Sequence, residues 1–399
     1  MRFEPVENPA RDQFSTDSNR TGGDGSALAL YVHWPFCVSK CPYCDFNSHV
    51  RDHVDQTAWR DALLKDMAHE AARTGGGPLS SIFFGGGTPS LMPPATIAAI
   101  IEAAGRHWRF TPDIEITMEA NPNSAEAARF ADAAAAGVNR VSIGLQALHD
   151  DALKFLGRAH AADEGLRAVE MAQGLFDRVS VDLIYALPGQ SEADWAADLT
   201  RALAMGTGHL SLYQLTIEPG TRFETMVRKG DFVPLDPDHG AALYELTRDM
   251  TGAAGIPAYE VSNHARAGQE SRHNLTYWRY GDYMGIGPGA HGRVLGHATR
   301  RHRKPENWMA ALAAQGHGME EEVPLPADER MTEALMMGLR LGEGVDLATL
   351  ETRLGIAAPV NDRAAERLAA QGLLRREGSR IAVTQEGMLL LDGILGEIL

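Results

Sequence analysis

The sequence predicts an α/β protein: a partial (βα)6 barrel followed by a mainly helical, winged-helix-like C-terminal domain. From residue 27 onward, short runs rich in β-forming residues alternate with longer segments of helical period. That alternation is typical of successive βα units around a parallel sheet. The chain has 399 residues, a length that favours one large domain plus one small domain.

Six short runs are predicted to be the barrel strands. Each is followed by a segment of helical period, as in Trp59, Leu63 and Met67, which are spaced at i, i+4 and i+8. The predicted strands are Ala29–Trp34, Ser81–Phe84, Ile114–Glu119, Arg140–Leu145, Val179–Ile184 and His209–Leu215.

The pattern divides the chain into four parts. Residues 1–26 show no hydrophobic period and are predicted to be a disordered N-terminal extension. Residues 27–260 form the predicted barrel, and 261–319 form a connecting segment rich in glycine, histidine and aromatic residues. Residues 320–399 end in a helix, strand, helix pattern typical of a winged helix. Such modules often bind DNA, but this one is acidic, which favours packing or partner recognition.

Composition narrows the set of partners. Lys plus Arg number 37 and Asp plus Glu number 53, a formal charge of −16 that repels phosphate backbones. We therefore expect no nucleic-acid partner. The N-terminus has no apolar signal segment, and we find no apolar run of about 18 residues that could span a bilayer. A soluble, cytoplasmic protein is expected, while peripheral membrane contact and a homodimer stay open.

All three cysteines lie close together, at Cys37, Cys41 and Cys44, directly after the first predicted strand. An odd, clustered set indicates a reducing compartment and a metal rather than disulfides. Thiolates are the ligands of iron–sulfur clusters. Three of them leave the fourth iron of a [4Fe–4S] cubane open, and S-adenosylmethionine can chelate that iron through its amino and carboxylate groups. The alternatives are a zinc site completed by His33 or His49, or a chance group of buried thiols.

Other candidate residues follow the remaining strands, where functional groups of (βα) barrels lie. The turn Gly85–Pro89 lets backbone N–H groups approach the methionine end of a cofactor, because glycine has no Cβ. Glu119 and Gln146 can serve hydroxyls and amines, and Arg158 can clamp a carboxylate. Asp182 lies in an apolar strand and needs a partner, such as a ribose or an adenine edge. Each residue alone also fits a structural role, but their joint placement favours a cofactor site.

Five segments, in order, make the chain similar to the oxygen-independent coproporphyrinogen III oxidase family of radical S-adenosylmethionine proteins. They are the cysteine loop, Gly85–Ser90, Glu119–Pro122, Ile143–Gln146 and Asp182–Gly189. The resemblance covers nearly everything after residue 27 and implies a radical S-adenosylmethionine barrel. The S-adenosylmethionine contacts that it implies are Tyr31, Tyr43, Gly86, Gly87, Thr88, Glu119, Gln146, Arg158 and Asp182.

Within that family, the chain resembles the haem-chaperone (HemW) branch. The true dehydrogenases carry a further cysteine two residues after the last cluster ligand, where this chain has Phe46. The stretch Arg272–Trp278, followed by Gly285–Gly292, is similar to the His-Asn-x-x-Tyr-Trp stretch of haem chaperones. Imidazole is a common axial ligand of haem iron, and Tyr and Trp offer flat apolar area to a porphyrin. His273 is the candidate haem ligand; His291, or a merely packed histidine, stays open.

Three functional hypotheses follow. The first is a haem chaperone that binds a [4Fe–4S] cluster, S-adenosylmethionine and haem, and delivers haem to apo-haemoproteins. The second is a coproporphyrinogen III oxidase that removes hydrogen from propionate side chains by a 5′-deoxyadenosyl radical, giving protoporphyrinogen IX and carbon dioxide. The third is a structural protein with a relict cluster loop. Phe46 and His273–Trp278 favour the first hypothesis, and no catalytic residue is assigned.

Overall fold

The computed structural model describes residues 27–399, and the predicted disordered extension at 1–26 lies outside them. Within 27–399, no helix is both long and apolar enough to cross a bilayer. The strands are β1 Leu28–Trp34, β2 Phe36–Cys37, β3 His49–Val50, β4 Pro78–Gly86, β5 Arg109–Ala120, β6 Arg140–Gln146, β7 Arg178–Tyr185, β8 His209–Gln214, β9 Asn263–Ala265, β10 Tyr283–Ile286, β11 His291–Val294, β12 His297–Arg301, β13 Met319–Pro324, β14 Val345–Asp346, β15 Leu374–Glu377 and β16 Arg380–Val383. The helices are α1 Gln56–Thr74, α2 Pro94–His107, α3 Ser124–Ala127, α4 Phe130–Ala135, α5 Asp150–Phe155, α6 Ala162–Gln173, α7 Glu192–Ala204, α8 Arg222–Lys229, α9 Pro237–Ala253, α10 Arg272–Trp278, α11 Pro305–Gln315, α12 Ala327–Gly338, α13 Leu347–Leu354, α14 Asp362–Ala370 and α15 Leu391–Ile398.

Six parallel strands form the barrel wall, in the order β1-β4-β5-β6-β7-β8. They are the six strands that the sequence predicts, most of them extended by one to several residues at their ends. Their inner and outer faces are both covered, so residues such as Leu30, Ile82, Val141 and Val181 are fully buried. The predicted α/β class with a partial parallel barrel is confirmed.

The main sheet continues beyond this wall on both sides. Strand β9 pairs antiparallel with β8, and β10 pairs parallel with β1, matching Ala29 to Tyr283 and Val32 to Ile286. Strands β11, β12 and β13 add antiparallel ribbons outside β10. The stretch 261–319, predicted as a connector, therefore supplies strands to the same eleven-stranded sheet. It also places the end of β10 beside the end of β1.

The C-terminal part has a separate apolar core. Helices α12, α13, α14 and α15 pack with a small antiparallel sheet of order β14-β16-β15. Buried side chains of these four helices and of strands β15 and β16 meet there, among them Leu335, Leu350, Leu368, Ile381 and Leu395. Helices around a three-stranded ribbon form the winged-helix-like arrangement that the sequence predicts.

A buried ionic cluster joins α1 to the outer strands. Arg301 of β12 is 0% exposed and forms ion pairs with Glu70 and Asp66, the latter at 3.5 Å from Nε to Oδ2. Asp66 also accepts hydrogen bonds from the backbone N–H groups of Gly287 (3.1 Å) and Gly318 (2.9 Å). One carboxylate thus fixes the turn after β10 and the start of β13 against α1.

We predict that Arg301→Met destabilises the protein by about 3–5 kcal/mol, because it leaves the buried carboxylate of Asp66 without a cation and removes one of the two arginines, Arg301 and Arg73, that pair with Glu70. Urea denaturation followed by tryptophan fluorescence measures the loss. The matched control is Arg300→Met on the same strand, whose ion pairs with Glu320 and Glu321 are exposed and which we expect to cost less than about 1 kcal/mol. Equal losses of unfolding free energy in the two variants would show that the buried ion pairs of Arg301 stabilise the protein no more than exposed ion pairs do.

Candidate cofactor site

The cysteine loop leaves the carboxyl end of β1 and is closed at its base by a short parallel pair, Phe36 with His49 and Cys37 with Val50. Cys37, Cys41 and Cys44 are free thiols and are half-buried. Burial raises the pKa of Cys37 and of Cys44, so a metal has to displace a proton from these thiols when it binds.

Two side chains donate hydrogen bonds to the cysteine sulfurs. Thr88 Oγ1 donates to Cys37 Sγ at 3.4 Å, and Arg158 Nη1 donates to Cys41 Sγ at 3.5 Å. Donors aimed at sulfur compensate the negative charge of a metal-bound thiolate. The surroundings of these two thiols therefore fit an iron–sulfur cluster.

The zinc alternative fits less well. In the part of the chain that the structure describes, no group of three or more His, Cys, Asp or Glu side chains is arranged to hold a metal ion. In a cubane, each thiolate bonds a different iron, so its thiols need not converge on one point. Both ring nitrogens of His33 are already engaged, by the Asn47 carbonyl and the Tyr31 hydroxyl, whereas Nε2 of His49 is buried without a hydrogen-bond partner among the described residues.

The glycine turn after β4 presses against the start of the cysteine loop. The N–H of Gly87 donates to the Trp34 carbonyl at 2.7 Å, and the N–H of Thr88 donates to the Phe36 carbonyl at 2.8 Å. A Cβ at Gly87 would lie 2.7 Å from the Phe36 carbonyl oxygen, closer than the two atoms can approach. Glycine at this position therefore permits the contact that brings Thr88 to Cys37.

Three of the predicted cofactor residues lie in the barrel interior. Tyr31, Glu119 and Asp182 line one cavity of about 180 Å³. Burial, with the neighbouring carboxyl of Asp182, raises the pKa of Glu119 to about 8. Burial also raises the pKa of Asp182, whose carboxylate accepts a hydrogen bond from the Ser142 hydroxyl at 2.9 Å. Glu119 in turn accepts from the N–H of Gly86 at 3.3 Å, which links the cavity to the glycine turn.

The other predicted residues lie nearer the cysteine loop. Arg158 donates to Asn121 Oδ1 and to the Gly144 carbonyl, the latter at 2.9 Å. Tyr43 is adjacent to it and half-buried, and burial raises the pKa of its hydroxyl. Gln146 ends β6 with a φ of 67°, a left-handed conformation that is uncommon outside glycine and tends to occur at functional sites.

Several residues that the sequence interpretation did not select line the same cavity. Arg140, Ser142, Ser211 and Tyr213 contribute to its wall together with Phe83. Ser142 and Ser211 are polar residues in otherwise apolar strands, which is the signal that identified Asp182. The same signal could have identified them.

His273 lies at the opposite end of the barrel from the cysteines. It is 1% exposed, and its Nδ1 pairs with the Ser81 hydroxyl at 2.9 Å while its Nε2 pairs with the Tyr277 hydroxyl at 2.7 Å. Ser81 lies in the first half of β4, and the N–H of His273 donates to Glu115 of β5. Burial lowers the pKa of His273 to about 3, so its ring is neutral and borders the base of the cavity.

A second cavity, of about 340 Å³, adjoins the first between the barrel and the C-terminal domain. Asn274 and Tyr277 line both cavities, and Trp278 lines the second. The guanidinium of Arg340 lies 5.7 Å from the centre of the Trp278 ring. Three residues of the predicted haem stretch thus form an aromatic and polar wall at this junction.

Two other residues that the sequence analysis singled out lie on the surface: His291, the second candidate haem ligand, and Phe46, which replaces the further cysteine of the dehydrogenases. His291 begins β11 and is exposed, near His33 and on the cysteine side of the sheet. Phe46 is 57% exposed in the cysteine loop. The structure therefore places the two candidate haem ligands at opposite ends of the barrel.

Comparison with known proteins gives the family. The Radical SAM superfamily matches residues 31–202, and the HemN C-terminal domain matches residues 325–390. The chain is 41% identical to radical S-adenosyl methionine domain-containing protein 1, mitochondrial, from Bos taurus, over 98% of this chain and 91% of that protein. It is 38% identical to the heme chaperone HemW of Escherichia coli, over 92% of this chain and 97% of that one.

A solved structure shows the same fold. The coproporphyrinogen III oxidase HemN from Escherichia coli, described as a radical SAM enzyme, superimposes with a TM-score of 0.77 at 23% identity, over 93% of this chain and 89% of that one. Barrel and C-terminal domain are both included in a match of that extent. The chain belongs to the radical S-adenosylmethionine superfamily, in the HemW branch of its HemN-like family.

Proposed function

We propose that this chain is a haem chaperone that holds a [4Fe–4S] cluster, S-adenosylmethionine and haem, and delivers haem to apo-haemoproteins. Membership of the radical S-adenosylmethionine superfamily implies the first two groups. The observation that best supports the haem function is the similarity to a named haem chaperone along almost the full length of both chains.

Cys37, Cys41 and Cys44 are the proposed cluster ligands, with Thr88 and Arg158 donating to two of the sulfurs. When bound, such a cluster supplies the electron that cleaves the sulfonium of S-adenosylmethionine. The proposed S-adenosylmethionine contacts are Tyr31, Tyr43, Gly86, Gly87, Thr88, Glu119, Gln146, Arg158 and Asp182. Their placement between the cysteine loop and the inner cavity supports one continuous cofactor site.

His273 is the proposed haem ligand, and the geometry sets a condition on it. Its Nε2 can meet iron only after the Tyr277 hydroxyl has moved away. The adjoining cavity, lined by Asn274, Tyr277 and Trp278, offers the aromatic area that a porphyrin needs. His291 is the second candidate, favoured by its exposure.

The cytoplasm is the proposed compartment, because three reduced thiols require a reducing interior. Because a relative is named as mitochondrial, cell fractionation is needed to test this compartment. Size-exclusion chromatography and liposome flotation of the loaded protein test the homodimer and the peripheral membrane contact.

The central test is an anaerobic transfer assay. We expect the reconstituted, haem-loaded protein to pass haem to apomyoglobin faster than free haem does, and to form no protoporphyrinogen from coproporphyrinogen III with S-adenosylmethionine and reductant. Cys41→Ser should lose the iron–sulfur absorbance. Protoporphyrinogen formation would make the chain a dehydrogenase despite Phe46, and transfer no faster than from free haem would contradict a chaperone.

We predict that S-adenosylmethionine binding depends on pH through Glu119. Its carboxyl is protonated below its pKa of about 8, and a cationic ligand favours the charged form, so binding releases a proton. Below pH 8 the affinity should therefore rise with pH, by at most about tenfold per pH unit. Calorimetry in buffers of different ionisation enthalpy measures the released proton. The Glu119→Gln variant should lose this dependence, and an unchanged slope in that variant would exclude Glu119.

We predict that His273→Ala removes or shifts the haem Soret band, while His291→Ala leaves it unchanged. Tyr277→Phe removes the hydroxyl that competes for Nε2 but keeps the ring, so it should tighten haem binding by about fivefold, the worth of one ordinary hydrogen bond. Haem titrations of the three variants provide the measurement. Loss of the band in His291→Ala alone would move the ligand to the cysteine side of the barrel.

A further inference from the structure

Two of the hydrogen-bond donors to the cysteine sulfurs, Thr88 and Arg158, share one partner, Asn121. Thr88 faces Cys37, and Arg158 faces Cys41. The side-chain amide of Asn121 lies between these donors: its Nδ2 donates to Thr88 Oγ1 at 3.3 Å, and its Oδ1 accepts from Arg158 Nη2. One amide therefore connects the groups that compensate charge on two of the three sulfurs.

The direction of these hydrogen bonds is fixed by chemistry. A guanidinium has donors only, so it requires the Asn121 oxygen on its side and leaves the amide nitrogen for Thr88. A threonine hydroxyl that accepts from this nitrogen keeps its single proton for Cys37. The same amide, together with the Gly144 carbonyl, holds the Arg158 guanidinium so that its other nitrogen, Nη1, faces Cys41.

Asn121 is itself held by a buried carboxylate. Glu126, 3% exposed, accepts from the backbone N–H of Asn121 at 3.0 Å and from its Nδ2 at 3.2 Å. Glu126 also accepts from Ser90 and, at 2.6 Å, from Asn123 Nδ2. The amide therefore has one orientation, set by Arg158 at its oxygen and by Glu126 at its nitrogen.

We propose that Asn121 is a positioning residue that sets the reduction potential of the cluster by aiming Thr88 and Arg158 at two thiolates. This inference rests on the proposed cluster ligands. Reduction adds an electron to an already anionic cluster, and hydrogen bonds to its sulfurs stabilise that added charge. Loss of the amide removes the contact that orients Thr88 and leaves Arg158 Nη2 held by the Gly144 carbonyl alone, so both donors are less well directed at the sulfurs and the cluster is harder to reduce.

The test is an EPR-monitored redox titration of the reconstituted protein without S-adenosylmethionine. Asn121→Leu should lower the reduction equilibrium constant by about tenfold, which is about 59 mV more negative for a one-electron couple. The matched control is Asn123→Ser, which loses its amide contact with Glu126 but keeps a hydroxyl to cap α3 and has no link to Thr88 or Arg158. Its potential should equal that of the unaltered protein.

A double variant shows whether Asn121 acts through Thr88. Thr88→Val removes one donor directly, so Asn121→Leu with Thr88→Val should shift the potential no further than Asn121→Leu alone. Additive shifts would overturn the proposal, as would an unchanged potential in Asn121→Leu with a full cluster. If the leucine variant does not fold, Asn121→Ser repeats the measurement with room for water beside Glu126.

The proposed cluster site fails by a different outcome, namely iron–sulfur absorbance that survives Cys41→Ser. The inference fails when that absorbance is lost in Cys41→Ser and the potential of Asn121→Leu is still unchanged. The two results are therefore distinguishable on the same preparations.

Discussion

The close approach of the Gly85–Thr88 turn to the backbone of Trp34–Cys37 is the contact on which the site depends. Two backbone hydrogen bonds of 2.7 and 2.8 Å close it, and there is no room for a Cβ at Gly87. It brings a cysteine and its hydrogen-bond donor together. The parallel register of β1, β4, β5, β6 and β7 then brings Glu119 and Asp182 to the barrel interior and Gln146 to the side of the cysteine loop, because strands that run in one direction end at one side of a sheet.

The opposite end of the barrel is closed by α10 and the C-terminal domain. Although burial alone would raise the pKa of Glu115, Arg140 and Arg178 hold it below its usual value, and the charged carboxylate accepts the N–H groups at the start of α10. Tyr280, just after α10, donates to Glu333 of α12 at 2.6 Å. A ligand that displaces the Tyr277 hydroxyl from His273 therefore acts on the same helix that joins the two domains.

Much of the fold is predictable because the patterns that specify it are local. The cysteine spacing and the apolar runs of the buried strands are each contained in a few residues, as for Val179–Ile184 within β7. Strand β10 has four residues and pairs with a strand about 250 positions earlier, so no local pattern identifies it. The burial of His273 depends on Ser81 and Glu115, which lie 192 and 158 positions earlier in the chain. Asn121 lies in a recognised segment, but its role depends on its contact with Arg158.

We propose that Cys37, Cys41 and Cys44 would hold a cubane and leave one iron to S-adenosylmethionine. Electron–nuclear double resonance of the reduced cluster, with S-adenosylmethionine labelled by ¹⁵N at its amino group, tests it most directly. We expect a hyperfine coupling from the labelled nitrogen that disappears when unlabelled cofactor replaces it. A fully formed cluster with no such coupling, at a cofactor concentration that saturates binding, would mean that the fourth iron has another ligand and would contradict the proposed coordination.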